Sequence, residues 1–183
     1  MKEYQLNFRE INKKHLSKIE EINRNRIPVC IIADGINDIG NLGMIFRLAD
    51  ALRIEKIFLY NIKDNFNFRL LKKKSRSTSN YVSYEIINEI DQILLLKKNY
   101  KFVVLDKTNK SIDYSTFNPD FPLCLIIGSE RFGVSEELIK YADASVHLPM
   151  FGVNTSINVA SATAVILYDL VKKINKNEEF YDK

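Results

Sequence analysis

The sequence predicts an α/β fold, a mostly parallel sheet with helices on both faces, and three observations carry that prediction. Short apolar runs at residues 29–33, 56–60, 81–86, 102–106, 123–127 and 145–148 read as strands. Between them, residues 42–52, 66–74, 89–98 and 136–141 carry helical periodicity, and a long final helix is expected over 157–174. Strands that alternate with helices belong to parallel sheets, whose crossovers cover both faces. Finally, no repeat, Gly/Ser linker or low-complexity tract breaks the alternation, so a single domain is expected.

Taken in order, residues 1–28 read as a helical arm. Phe8, Ile11, His15, Ile19 and Ile22 recur every three or four positions, and Pro28 is expected to end the helix. The alternating core then occupies 29–174, and 175–183 form a short tail. With 183 residues and 46% hydrophobic content, one buried core is within reach. Against 23 Asp+Glu stand 27 Lys+Arg, a net charge of +4 that permits an anionic partner and excludes a histone-like composition. The longest apolar runs reach only a quarter of the ~20 residues that a membrane helix needs, so no membrane span or signal peptide is expected. Cys30 and Cys124 each sit in an apolar run without CxxC spacing. Buried reduced thiols, and hence a cytoplasmic setting, are the expectation.

The six glycines all fall in three segments, Gly35/Gly40/Gly43, Gly128/Gly133 and Gly152, and each segment follows an expected strand. In α/β sheets, ligands bind beyond the carboxyl ends of strands, where loops need positive φ or close backbone approach. The first segment runs from Asp34 into a helix whose core stripe is Ile45, Leu48, Ala49 and Leu52, with Asn41 as the expected N-cap. Arg47 lies beside that stripe, within reach of a phosphate or carboxylate held at the loop. The second segment, residues 125–135, nearly spells a phosphate-binding P-loop, but Val134 stands at the lysine position. Glu130 would also set a carboxylate among phosphate oxygens, which argues against a nucleotide triphosphatase. In the third, Asn154, Thr155, Ser156 and Asn158 crowd one turn beside Pro149 and Gly152, more polar groups than helix capping uses. Ala160, Ala162 and Ala164 follow, small residues suited to packing against another helix or a second subunit.

Together these segments resemble a known family. Asn41, Gly43 and Arg47 spell NxGxxxR; Gly128, Glu130, Gly133 and Ser135 spell GxExxGxS; residues 148–160 spell LPMxGxxxSxNVA. These look like the three motifs of the SpoU, or TrmH-like, RNA ribose 2'-O-methyltransferases of the SPOUT superfamily, in order and at the right spacing over residues 18–171. The resemblance implies an α/β fold with a C-terminal trefoil knot, S-adenosylmethionine as cofactor, and a homodimer. By position, it implies cofactor contacts at Leu105, Gly128, Leu148, Met150 and Ile157. It also implies polar active-site roles for Asn41, Arg47, Glu130, Ser156 and Asn158. Leu48 departs from the Thr that usually follows the arginine, and Ala160-Ser161 from a frequent Ser-Val; both bear on substrate positioning.

Methyl transfer to a hydroxyl is an in-line displacement that needs alignment and removal of one proton, and neither task requires a metal. The resemblance assigns the proton to Arg47, yet guanidinium is a poor base. Arg47 as a phosphate clamp, with the proton leaving to that phosphate or to solvent, stands beside it as the other version. His147 reads as structural. Arg69, Lys72, Lys73, Lys74 and Arg76 put five cations in eight residues and are the expected RNA-backbone contacts. The arm, with seven Lys/Arg against four Glu, is a second candidate contact or a dimer element. A tRNA substrate, with a D-loop guanosine as its target, is the expectation. Ribosomal RNA, a catalytically silent RNA-binding relative and a P-loop-like hydrolase are the alternatives.

Overall fold

Seven strands form one sheet in the computed structural model of the chain, which describes residues 7–175. Residues 1–6 of the expected arm and 176–183 of the expected tail lie outside the described residues. Strands β1 (Ile27–Asp34), β2 (Ile54–Tyr60), β3 (Tyr84–Ile87), β4 (Lys101–Leu105), β5 (Ile112–Asp113), β6 (Leu123–Gly128) and β7 (Ala144–His147) lie in the order β3-β2-β1-β6-β4-β7-β5. Every pairing among them is parallel. Seven helices accompany the sheet: α1 (Phe8–Leu16), α2 (Ile19–Arg24), α3 (Ile39–Ala51), α4 (Phe68–Lys74), α5 (Ile90–Leu96), α6 (Glu136–Lys140) and α7 (Val159–Asn175). None of the described helices is long and apolar enough to cross a membrane.

The period-two alternation of a strand divides the core into two layers. Val29, Ile31 and Ala33 of β1 join the layer that holds Leu42, Ile45 and Phe46 of α3 and Ile166, Leu167 and Leu170 of α7. Cys30 and Ile32 face the other layer, closed by Ile93 of α5 and Leu138 of α6. Both faces being covered, β6 is buried at every residue and reads in sequence as an unbroken apolar run. Each fully buried large aliphatic side chain contributes about 1.5–3 kcal/mol relative to exposure, so these two layers hold the sheet. Cys30 and Cys124 are register partners on β1 and β6, free and buried. The hydrogen bond to Cys30, then burial, pushes the Cys124 thiol up, which keeps it protonated and inert.

The structure corrects several expectations of the sequence. Pro28 does not end a helix: α2 stops at Arg24, and Pro28 is the second residue of β1. A central strand tolerates it because the β1–β2 register shifts between Ile27 and Cys30, an irregularity where no N–H is required of it. Asn41 is not the N-cap of α3. Asp38 is, its Oδ1 accepting the Asn41 N–H at 2.7 Å, which leaves the Asn41 side chain for other work. The strand expected over 81–86 begins only at Tyr84, after a 3-10 turn, Thr78–Asn80, and the two-residue β5 gave no sequence signal.

Candidate active site

The three glycine segments leave the carboxyl ends of β1, β6 and β7. Strands β1, β2 and β3 run outward to one side, β4 and β5 lie on the other, and β6 and β7 are inserted late on either side of β4, so the order reverses beside β1, the place where open α/β sheets bind ligands. The loop after β6 turns sharply. Gly133 has φ +66° and donates its N–H to the Ser129 carbonyl at 2.8 Å. Gly133 passes so close to Gly128 that a Cβ there would overlap the Gly133 carbonyl carbon.

Two carboxylates hold this loop. Asp34, 3% exposed at the end of β1, accepts Asn61 Nδ2 at 2.8 Å and the Ser135 N–H at 2.7 Å. Asp106, just past β4, accepts the Val134 N–H at 2.9 Å and the Lys107 N–H at 2.7 Å. A Cβ at Gly133 would strike that carboxylate. Backbone N–H groups and the Asn61 amide satisfy these acids, as buried or partly buried anions require.

Above the loop, a chain of side-chain hydrogen bonds links one residue from each glycine segment. Asn158 Nδ2 donates to Asn41 Oδ1 at 2.9 Å, and Asn41 Nδ2 donates to Glu130 Oε1. Asn158 Oδ1 accepts the Ala160 and Ser161 N–H groups at 3.0 and 3.2 Å, so this residue also caps α7. An ionised Glu130 can only accept, which sets the orientation of both amides. Arg47 sits on α3, and its only polar contact among the described residues is Nη1 to Met44 Sδ at 3.5 Å. Its guanidinium fork is open to a ligand.

Beside this chain lies a cavity of about 620 Å³. Leu105, Leu148, Met150 and Ile157 line it together with Ser156, while Gly128, Asn41, Glu130, Asn158 and Arg47 do not. Four of the five expected cofactor contacts thus share one cavity, and three of the five polar residues form the adjoining chain. The cavity's size is that of a small-molecule site. His147 lines it too, but its Nδ1 pairs with Ser111 Oγ at 3.0 Å. Arg69, Lys72, Lys73, Lys74 and Arg76 are all exposed, on α4 and the turn after it. This element packs on α3 at Gly43, where a Cβ would lie 2.9 Å from Lys74 Cβ.

Sequence reasoning missed Asp34, Asp38 and Asp106. Each is an acid at the very end of an apolar run or immediately before a helix, and that placement is the signal that would have found them.

The profile of the SpoU rRNA Methylase family matches residues 28–168. The 23S rRNA (guanosine-2'-O-)-methyltransferase RlmB of Blochmanniella floridana is 27% identical over 89% of this chain, which spans 65% of that relative's length. The tRNA (guanosine(18)-2'-O)-methyltransferase of Aquifex aeolicus is 26% identical over 86% of the chain and 75% of its own length. Among solved structures, the TrmH/SpoU tRNA modifying enzyme of A. aeolicus superposes with a TM-score of 0.80 at 23% identity, over 91% of this chain and 86% of that one. An AdoMet-bound rRNA methyltransferase from Sinorhizobium meliloti reaches 0.72 at 26% identity, over 82% and 59%.

Proposed function

The chain belongs to the SpoU rRNA methylase family, and from that premise we propose that it transfers the methyl group of S-adenosylmethionine to a ribose 2'-hydroxyl of RNA. The observation that carries the reading is the Asn158–Asn41–Glu130 chain set against a cavity lined by Leu105, Leu148, Met150 and Ile157.

These residues fit the cofactor. The cavity is roomy enough for a nucleoside with an amino-acid tail, its lining mixes aliphatic side chains with the Ser156 hydroxyl, and no conventional phosphate-gripping lysine stands in the glycine loop. When bound, S-adenosylmethionine supplies an electrophilic methyl on a sulfonium. Leu105, Leu148, Met150 and Ile157 would hold it, with Gly128 shaping the loop behind. Arg47 binds the phosphate next to the target ribose and turns the 2'-hydroxyl toward the cavity. The Asn41 and Asn158 amides, oriented by Glu130, fix the approach of the ribose. The proton of the hydroxyl leaves to the neighbouring phosphate, to solvent or to Arg47.

Within this reading the RNA is tRNA and the nucleotide a D-loop guanosine. Support comes from the A. aeolicus relative named for a tRNA guanosine, of whose own length this chain spans 75%, against 65% for the 23S rRNA relative. Ribosomal RNA is the second reading, favoured by that other relative. The exposed α4 cations hold the RNA backbone. A homodimer belongs to the same proposal, supported by Phe151 and Val153, 95% and 100% exposed, and by the exposed Val165 and Tyr168 of α7. The late insertion of β6 between β1 and β4 supports the family's trefoil crossing, and free Cys30 and Cys124 suit the cytoplasm. Mapping 2'-O-methyl groups in tRNA and rRNA from cells with and without the gene tests the proposal. Loss of one tRNA mark is expected, loss of an rRNA mark selects the second reading, and an unchanged map of both overturns it.

A further inference from the structure

Two helices, α3 and α4, are each followed by an arginine with left-handed backbone. At the end of α3, Leu52 is the C-cap and Arg53 follows with φ 54°; at the end of α4, Ser75 is the C-cap and Arg76 follows with φ 51°. Glycine is the usual occupant of this position, because any Cβ is strained there. Both turns close as such caps do. The Arg53 N–H donates to the Asp50 carbonyl at 3.2 Å, the Arg76 N–H to the Lys73 carbonyl at 3.2 Å, and the Ser77 N–H to the Lys72 carbonyl at 2.9 Å. The backbone therefore asks for glycine twice and receives arginine twice, while neither guanidinium has a hydrogen bond or ion pair among the described residues. Strain retained at such a point directs attention to the side chain.

Arg53 borders a second cavity, of about 680 Å³, between the α1–α2 arm and the end of α3. Lys14, Lys18, Arg26 and Arg53 face it against Glu21 and Asp50. Arg26 is committed to the fold, donating to the Ile54 carbonyl at 2.8 Å, Asn23 Oδ1 at 2.7 Å and the Tyr81 carbonyl at 2.5 Å. Burial pushes the Asp50 carboxyl up, with Arg26 and His15 opposing.

This cavity is continuous with the α4 cations along α3. Lys74 meets α3 at Gly43, the Thr78–Asn80 turn packs on the same helix, and Tyr81 lines the cavity with Arg53. From position 43 to position 53 is about 15 Å of helix. We propose that Arg53 and the cleft beneath the N-terminal helices contact phosphates of the bound RNA, extending the basic surface of α4 down α3 and away from the methyl-transfer site. The charge complementarity is that of a polyanion laid along a cationic track. This rests on the RNA reading above. The competing role is local: a cation after a helix's last turn also interacts favourably with the helix dipole.

Three variants separate the roles, each measured for affinity to fluorescein-labelled bulk tRNA over a salt series, for melting temperature, and for S-adenosylmethionine binding by calorimetry. Arg53→Gln should weaken RNA binding about 8-fold at 0.1 M salt and flatten the log-log salt slope by about 0.9, the counterion contribution of one contact. Arg53→Lys should keep the slope, and Arg53→Gly should lose it while melting no lower than the wild type. S-adenosylmethionine affinity should be unchanged throughout. Superimposable salt lines for wild type and Arg53→Gln would overturn the proposal. So would a fall in melting temperature for Arg53→Gln and Arg53→Gly with the slope intact, which is the signature of the helix-dipole role. Wild-type protein that binds the cofactor and no RNA would remove the RNA reading and this inference with it.

Discussion

At the carboxyl ends of β1 and β6 the chain removes side chains, whereas at the amino ends of β2 and β4 it uses charged ones as braces. Gly35 and Gly133 take positive φ at the carboxyl end, and Gly128 lets the loop fold onto the strand it leaves. The acids there, Asp34 and Asp106, accept N–H groups of that loop. At the other end, Asp143 accepts the Phe102 N–H at 2.7 Å and pairs with Lys97 at 3.2 Å, while Arg26 donates to the Ile54 carbonyl. There the left-handed position after α3 holds Arg53. The contrast teaches what each end is built to admit. A ligand that must approach the backbone needs Cβ atoms out of the way, while one met by side-chain tips leaves the backbone free to be braced.

The sharpest break in that contrast is Gly128→Ala. The new Cβ would overlap backbone atoms, which cannot move as a flexible side chain can, so a loss of at least about 4 kcal/mol is expected in denaturant unfolding. Gly152→Ala is its control. Nothing lies within 4 Å of a Cβ there, and a change within about 0.5 kcal/mol is expected. Equal losses in both would show that glycine matters for loop freedom alone and not for close approach.

Next comes the surface between the two ends. Replacing Lys72, Lys73 and Lys74 together by Ala should flatten the salt dependence of RNA binding by up to about 3 units of log-log slope, leaving cofactor affinity and the methylated site unchanged. Parallel lines for wild type and variant would remove α4 from the RNA surface. A solvated helix face predicts only a small effect that vanishes above about 0.15 M salt.

Arg47→Ala should lower kcat/KM by about 10- to 100-fold, the loss of one charged hydrogen-bonding contact, with little change in S-adenosylmethionine affinity. Arg47→Lys should also fail, because an ammonium cannot reproduce the guanidinium fork on phosphate. Activity within about twofold of wild type would move Arg47 out of the site.

The smallest effect belongs to the amino end. Burial raises the Asp143 carboxyl, but the Phe102 N–H and Lys97 outweigh it and hold the folded value below the usual carboxylate range. A group depressed in this way stabilises the fold above its unfolded pKa of about 3.9 and loses that contribution as pH falls through the folded value. Asp143→Asn should therefore cost about 1 kcal/mol or less near pH 7, and the difference should narrow as pH falls below the ordinary carboxylate range. A difference that does not shrink at all on acidification would mean that shape, and not charge, makes this brace.

How far the sequence reaches differs between these features. Strands β1, β2, β4 and β6 were legible because burial on both faces writes an unbroken apolar run. Strand β5 was not, because two residues carry no periodicity. Pro28 misled because a proline in a central strand depends on a register shift in the neighbouring strand, which local sequence does not encode. Asn41 misled in a more useful way. Its residue type suits a cap, but Asp38 three positions earlier takes that role, and the amide of Asn41 reaches Glu130 instead.

From the sequence alone came the α/β class, the placement of all six glycines after strands, and the three polar segments that carry the family's motifs. Only the tertiary structure decided which of their side chains touch. Asn41 and Glu130 are 89 positions apart, and Asn41 and Asn158 are 117 apart. They meet because a parallel sheet sets the carboxyl ends of β1 and β6 side by side, with β7 two strands further along the same edge. Arg53 and Arg76 likewise look like any surface arginines in the sequence. Their left-handed backbone exists only once α3 and α4 have ended, since helix termination is settled by what the next strand or turn must reach and not by the arginine itself.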